Sequence, residues 1–526
     1  MKRPPEHDTS QQQRAWLCIA SAFPPINRSG THRTLGFVRH LSRWGWDATV
    51  VCARPNSPIV ARDAESSSSD SLDHSLLDRI PPGTTVHRVA APHPIQSIKH
   101  WLDWLRWNSG QRHRTAQAER NESTERQRTC DGASADPAHL TPLIYPDPDT
   151  TSNDSRGLID WMTRLLMMPD SHSAWIIGAT LKALKASQRR RPQVIYSTSP
   201  CMSAHVSAML VSYLARVPWV ADFRDPWRGN PFRTLPYATL DRFDQWLEQR
   251  VLRRASGIIC NTETSTRALR DRMPWVSSKC MTVMNGFDSD LYDGVTPART
   301  RDSDTFVFAH AGQFYGRRRP EPWFHAFRRL LDEQSSPRKI KLLLIGKTTC
   351  DGTPLHTIAR DAGVADHVDF SGEVSHERAL SLLAGSDALL LAGASGPGAE
   401  LQIPNKLFEY LALRKPIVAG IDHRNPARRV LKSAAARAAF CTLINEVSIT
   451  EAMKQTMEPE TSGRHFQHAH LYDRKERARE LLHLFQAVCT RQKPLRPVKH
   501  RAIGRDRLLQ TKPDVFNDAV GPAYRK

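Results

Sequence analysis

Apolar positions along this chain fall into two signatures: short, nearly unbroken runs, and stripes that return every three or four residues. The runs are Trp16–Ala20, Ala48–Val51, Gln193–Thr198, Trp219–Phe223, Gly257–Cys260 and Met281–Met284, then Phe306–Ala309, Ile340–Ile345, His367–Phe370, Asp387–Leu391 and Lys415–Ala419. Runs of this length and composition read as strands of a parallel sheet covered on both faces. The stripes at Thr31–Arg43, Trp175–Ala186, Ser203–Ala215, Tyr237–Arg254, Thr264–Arg272, Pro320–Leu331, Leu355–Ala362, Glu377–Leu383 and Asp473–Val488 read as helices. Strand and helix alternate twice over. That order predicts an α/β chain of two Rossmann-like, doubly wound domains facing a cleft, with ligands at the carboxyl ends of the strands.

The pattern frays in one long stretch, from Arg54 to about Arg156, where Val86–Ala90 alone reads as a strand. Ser66–Ser69 is low in complexity and Arg112–Ser134 is too polar to pack. Ile98–Trp107 and Leu158–Met168 each put aromatic and aliphatic side chains on one helical face, which suits a core position or an interfacial membrane helix. The expected organisation is a disordered N-terminus over 1–15, an N-terminal domain over 16–296 with a partly disordered insertion at about 55–156, a C-terminal domain over 297–470, a helix over 471–490 and a flexible basic tail over 491–526.

Composition narrows the classes. The chain has 526 residues, too many for one ordinary core, and a mean hydropathy of −0.50. It has no run of apolar residues long enough to span a bilayer, and no apolar stretch before Trp16 that would make a signal peptide. The nine cysteines form no C-x-x-C pair and read as reduced thiols, so a cytoplasmic protein is expected. Net charge is +20. An anionic small substrate, an anionic membrane surface and nucleic acid would each answer that charge, but no nucleic-acid-binding signature accompanies it.

The stretch with the most chemistry is 396–415. A strand leads into Gly396, Pro397 and Gly398, and Pro404 stands where a helix can begin. Strand, glycine-rich loop and helix start can hold a diphosphate on free backbone N–H groups. Lys406 adds a cation in the first turn, Asn405 precedes it, and Glu409 is placed to accept from a ribose diol. An ordinary β–α unit with a surface glutamate fits the same residues. Gly30, after the first strand, lets a ligand approach the backbone or serves only as a turn residue.

Seven segments in this order carry a resemblance: FPP…SGTHRTLGFVRHL (23–41), YSTSPCMSAH (196–205), PWVADFRDPW (218–227), NGFD (285–288), HAGQFYGRRRPE (310–321), VDFSGEV (368–374) and PNKLFEYLALRKPIVA (404–419). Together they make the chain resemble the family 4 (GT4-type) glycosyltransferases of the GT-B fold, most closely the bacterial surface-polysaccharide subgroup that carries a DFRDPW segment. The resemblance spans roughly residues 16–490 with gaps. It implies sugar transfer from a nucleotide-diphosphate sugar to a glycan or lipid-linked acceptor, with retention, without a bound metal or other cofactor, and in the cytoplasm or at the inner face of the membrane. No specific nucleic-acid partner is implied.

The resemblance also assigns roles. Gly312 lies in the phosphate loop, whose basic pair falls on Gln313, a departure, and Arg319, with Arg317 and Arg318 as substitutes. Val374 sits where the backbone meets the nucleobase, and Glu409 matches the ribose-binding glutamate. The family's other glutamate falls on Leu401, with Glu400 one residue off. A histidine of the reaction centre is replaced by Arg224, followed by Asp225; the pair would steady phosphate charge and position or deprotonate the acceptor hydroxyl, or form a structural ion pair. His205 is a weaker candidate at the acceptor side. A non-catalytic nucleotide-sugar-binding protein and a nucleotide-sugar epimerase are the alternative functions.

Overall fold

A computed structural model describes residues 14–57, 72–94, 157–230, 235–298, 304–334, 338–394, 396, 398–459 and 465–490. The expected disordered N-terminus, most of the insertion with its Ile98–Trp107 helix, and the basic tail lie outside these residues. The first sheet holds β1 (Arg14–Ala20), β2 (Trp46–Ala53), β3 (Thr85–Val89), β4 (Val194–Thr198), β5 (Trp219–Phe223), β6 (Gly257–Cys260) and β7 (Cys280–Thr282), ordered β3-β2-β1-β4-β5-β6-β7. Every pairing is parallel. Its central strands β4 and β5 are buried at every position because both faces are covered. On one face lie α3 (Trp175–Arg190), α4 (Met202–Ala215) and α5 (Ala238–Arg254), and on the other α1 (Ser29–Arg43). α2 (Gly157–Leu166) is tied to the start of α5 through Trp161 and Thr239, 2.9 Å apart, and α6 (Glu263–Arg272) precedes β7.

The second sheet repeats the plan. β8 (Thr305–Ala311), β9 (Lys339–Ile345), β12 (Val368–Gly372), β13 (Ala388–Ala392), β14 (Ile417–Gly420) and β15 (Ala438–Cys441) run parallel in the order β12-β9-β8-β13-β14-β15. A two-residue hairpin, β10 (Thr349–Cys350) and β11 (Thr353–Pro354), interrupts the series. The helices are α7 (Glu321–Asp332), α8 (Leu355–Asp361), α9 (His376–Gly385), α10 (Lys406–Leu413), α11 (Pro426–Ser433) and α12 (Glu446–Met457). In each sheet the order reverses beside the first strand, between β1 and β4 and between β8 and β13, and the crevice at such a switch point is where ligands bind in this architecture.

Beneath the first switch point sits a buried ion pair. Arg33 on α1 meets Asp222 at the end of β5 through two bonds of 2.9 Å, and also donates to the carbonyls of Val283 and Met284, each at 2.8 Å. Tyr196 and Thr198 donate to the same carboxylate at 2.5 and 3.1 Å. With each charge fully partnered, the pair fixes the approach of α1 to the end of β5.

The chain crosses between the domains twice, and the two crossings pair with each other. Phe287 bridges Asp473 in parallel; the Phe287 N–H donates to the Tyr472 carbonyl at 3.2 Å and the Arg474 N–H to the Phe287 carbonyl at 2.7 Å. The Arg474 guanidinium donates to the carbonyls of His32 and Gly286 and lies 3.5 Å from Asp288. Its stem occupies the space a Cβ on Gly36 would need, so glycine is required there. Burial pushes the Asp288 carboxyl up, but Arg474, His40 and Arg39 outweigh that and hold it below the usual carboxylate range.

After the second crossing, α13 (Arg474–Cys489) returns to the first sheet and buries Ala478, Leu481, Leu484 and Phe485. The Phe485 ring lies 5.5 Å from Trp16, 5.7 Å from Trp46 and 6.3 Å from Tyr196. The last helix is therefore part of the first domain's core. Phe485→Ala should lower stability by about 3–5 kcal/mol, read as a lower urea midpoint in tryptophan fluorescence.

Candidate active site

The second domain supplies a cationic cradle. β8 runs out at Ala311, and Gly312 turns with φ +119°, its N–H donating to the Ile345 carbonyl at 2.6 Å. A Cβ on Gly346 would stand 2.7 Å from the Gly312 carbonyl oxygen, so the ends of β8 and β9 meet backbone to backbone. The Lys406 ammonium occupies the space directly over Gly312. Lys406 opens α10, which starts two residues later than Pro404; the carbonyls of Pro404 and Asn405 accept from Leu407 and Phe408, both at 3.1 Å, in a tight lead-in turn. Burial, reinforced by Arg318 and opposed by Glu409, pushes the Lys406 ammonium down to about 7.

Of the three consecutive arginines, Arg318 faces this cradle. It is half-buried, donates to the Tyr315 hydroxyl at 3.1 Å, and its charge acts on both Lys406 and Asp225. Arg319, the expected basic partner, is 46% exposed and engaged by Glu321 and Asp351. Arg317 lies against Gly396. Glu409 is half-buried on α10 and has no hydrogen-bond or ion-pair partner among the described residues. Burial and the Glu409 carboxylate both push the nearby Tyr292 hydroxyl up. Val374 is 37% exposed in the turn before α9.

The first domain supplies the facing groups. Arg224 and Asp225 leave the end of β5, both half-buried. Arg224 donates to the Ser199 carbonyl, and its guanidinium fills the space beside Gly30. Gly30 thus makes room for Arg224. Arg224 and Asp225 act on each other through their charges without a close ion pair among the described residues. Burial pushes the Asp225 carboxyl up, with Arg224 and Arg318 pulling the other way. Gln402 of the second domain donates to Asp225 across the cleft at 3.3 Å.

Between the two halves lies the 396–402 loop. Gly396 and Gly398 both take φ +84°, and a single turn over Ala399–Leu401 follows. The Leu401 carbonyl accepts from Thr262 at 3.2 Å and Ser265 at 2.7 Å, both of the first domain. Asn425 donates to the Ala399 and Gln402 carbonyls. Leu401, in the family's glutamate position, is a contact between domains, while Glu400 beside it is half-buried with no partner among the described residues.

His205 is a correction. It is fully buried in the first core, its Nδ1 2.7 Å from Ser197 Oγ and its ring 4.4 Å from Phe223, and burial pushes it down to about 3. The inward face of α4 carries it into the core. Three cleft residues escaped the sequence reading as site groups of their own: Tyr292, Gln402 and, as the principal cation, Arg318. No spacing signal marks any of them, because each reaches the cleft from a different loop.

Two family models match the chain. One, described as "Glycosyl transferase 4-like domain", matches residues 131–286; the other, "Glycosyl transferases group 1", matches 305–457. No curated protein matches. Among solved structures, a glycosyltransferase from Rickettsia africae ESF-5 is similar with a TM-score of 0.55 at 9% identity, covering 92% of this chain and 100% of that one. The N-terminal domain of Candida albicans trehalose-6-phosphate phosphatase scores 0.56 at 10% identity, covering 93% and 99%. Anabaena Alr3699/HepE, in complex with UDP and glucose, scores 0.50 at 14% identity, covering 90% and 100%. At these identities the likeness is one of fold.

The depressed Lys406 gives the site a measurable signature. Its folded value of about 7 lies below the roughly 10.4 of an unfolded lysine, so the unfolded state binds the extra proton between these values and stability rises with pH across that window. Lys406→Met should therefore raise the melting temperature of the ligand-free protein by about 3 °C or more at pH 7 and below. The difference between variant and wild type should shrink as pH approaches 10, in paired scanning calorimetry runs.

Proposed function

The chain is a GT-B glycosyltransferase, and we propose that it moves a sugar from a nucleotide-diphosphate sugar to a glycan or lipid-linked acceptor in cell-surface polysaccharide synthesis. The observation that carries the donor assignment is the lysine held over Gly312 at the start of α10, beside Arg318 and with Glu409 unpartnered a turn further on. A diphosphate placed there restores to Lys406 the charge that burial opposes. Glu409 then accepts from the ribose hydroxyls, and the backbone near Val374 meets the base.

As the sugar–phosphate bond breaks, negative charge grows on the leaving diphosphate. Lys406, Arg318 and, from the facing domain, Arg224 are the cations aimed at it, and such preorganised groups supply the largest share of stabilisation in a dry site. In this reading they do so without a metal ion, and transfer proceeds with retention. Asp225, lifted by burial and held by Gln402, orients the acceptor hydroxyl and takes its proton. Glu400 reaches the donor sugar in place of the residue at 401. Leu401, in the position of a polar group, favours a second reading in which nucleotide sugar is bound and not turned over; donor consumption with a polysaccharide-precursor acceptor separates the two.

Binding should first appear in a thermal-shift screen of UDP, GDP, ADP and TDP, where a ligand at a hundred times its dissociation constant adds about 2.7 kcal/mol. Glu409→Ala should weaken the best nucleotide by roughly ten- to a hundredfold, since it removes charged hydrogen bonds to the ribose; unchanged affinity would remove Glu409 from the site. Because bound diphosphate favours protonated Lys406, affinity should fall as pH rises above about 7, by roughly tenfold between pH 7 and 9. Lys406→Met should bind weakly and lose that pH dependence in titration calorimetry.

A further inference from the structure

One group of side chains that the donor cradle does not use combines the three ligand chemistries a borderline-soft cation takes. Asp170 and His172 stand in the turn between α2 and α3, and Cys201 directly before α4, in the loop that leaves β4. A carboxylate oxygen, a ring nitrogen and the sulfur of these residues lie within 4.8 Å of one another. Asp170 Oδ1 is 3.9 Å from Cys201 Sγ and 4.0 Å from His172 Nδ1. Ligands around a tetrahedral zinc ion, at bonds of roughly 2.0–2.3 Å, stand about 3.3–3.8 Å apart. Small side-chain rotations would bring all three groups onto one ion.

Their surroundings fix these groups. His172 is buried, and its backbone N–H donates to Asp170 Oδ1 at 2.9 Å. Ser203, in the first turn of α4, donates to the same oxygen from its hydroxyl at 2.7 Å and to Oδ2 from its N–H at 2.9 Å. A carboxylate held by such outer donors presents its remaining lone pairs in a set direction. The Ser171 hydroxyl lies 3.4 Å from His172 Nδ1. Cys201 takes φ +94°, where glycine would be the unstrained choice, so a side chain is kept at this position at a cost in backbone energy.

A cysteine beside a histidine and an acid also suggests a nucleophile with its base, but that role needs the imidazole between thiol and carboxylate. Here the carboxylate itself faces the thiol, and its charge opposes a thiolate unless a cation stands between them. A dication answers both charges, and a metal-bound thiol is deprotonated outright. A set of one sulfur, one nitrogen and one oxygen suits zinc over the hard cations, which take oxygen ligands. We propose that Asp170, His172 and Cys201 hold a zinc ion, with a water or a substrate group as fourth ligand. The site shares no residue with the donor cradle and does not rest on the donor reading. It would tie the turn before α3 to the β4–α4 loop, whose Ser199 carbonyl accepts from Arg224. Spacing along the chain does not reveal it, since α3 and β4 separate Cys201 from the other two ligands.

The test is metal binding by the full chain, reduced and stripped with a chelator, then titrated with Zn²⁺ and separately with Co²⁺. One equivalent per chain is expected, with release of protons from the ligands and, for cobalt, the charge-transfer absorption of a thiolate ligand. Cys201→Ser should abolish that absorption. Cys201→Ser and His172→Gln should each lower zinc affinity by more than the roughly 10- to 100-fold that loss of an outer partner costs, and Ser203→Ala should fall within that range. Asp170→Asn keeps an oxygen for the Ser203 N–H, so it removes the third ligand with the cap of α4 intact, and it should also lose zinc. Cys489→Ser, at the other end of β4 beside Gln193, should bind as the wild type does. If the wild type takes up no stoichiometric zinc, takes up cobalt without thiolate absorption, or is matched by Cys201→Ser or His172→Gln, the proposal is overturned. Rapid alkylation of Cys201 that zinc does not slow would also overturn it, in favour of a nucleophile. The readout is the metal and involves no nucleotide, so failure here leaves the donor site untouched.

Discussion

Arg474 holds the two domains in register. It stands where the chain crosses back, donates to the His32 carbonyl in the first turn of α1 and to the Gly286 carbonyl of the first crossing, and reaches the buried Asp288. Because the two crossings also pair through Phe287 and Asp473, the connection is a short two-stranded ribbon and not a pair of loose linkers. The cleft exists only if Arg224 and Asp225 on one side meet Lys406 and Arg318 on the other, and that meeting depends on this ribbon. Gly36 and Gly286 are glycines for the same reason, since a side chain on either would collide with the crossing segment.

Each half of the site is incomplete and slightly unstable by itself. Lys406 is desolvated beside another cation, and Asp225 is buried with too little to answer its charge. Both conditions are unfavourable, and an anion beside Lys406 or a hydroxyl donor beside Asp225 would relieve them. Preorganisation of this kind costs stability in the free enzyme and lowers the reorganisation needed when charge develops. The rigid parts of the fold carry that cost: the Arg33–Asp222 network under one half and the backbone contact of Gly312 with Gly346 under the other.

Much of the fold was legible because a parallel sheet covered on both faces leaves a plain trace. β5 and β6 fall where the apolar runs put them, and most other elements shift by a residue or two at their ends. Glu409, Lys406, Gly312, Arg224 and Asp225 lie, as the order of elements implies, at strand ends and a helix start. Arg319 pairs with Glu321 and Asp351, and His205 packs into the first core. Side-chain direction in a loop, and which helical face turns inward, depend on neighbours that local spacing does not contain.

The sequence by itself determined two doubly wound domains and the half-site built from a strand, a glycine and a helix start, because those follow from short-range periodicity and backbone sterics. Tertiary structure alone decided that α13 completes the first core, that Arg318 acts on both Lys406 and Asp225, and that Leu401 and Gln402 become contacts between domains. It alone decided, too, that Asp170 and His172 stand against Cys201. These are matters of distance between segments remote in the chain, and only the closed packing of the whole molecule sets them.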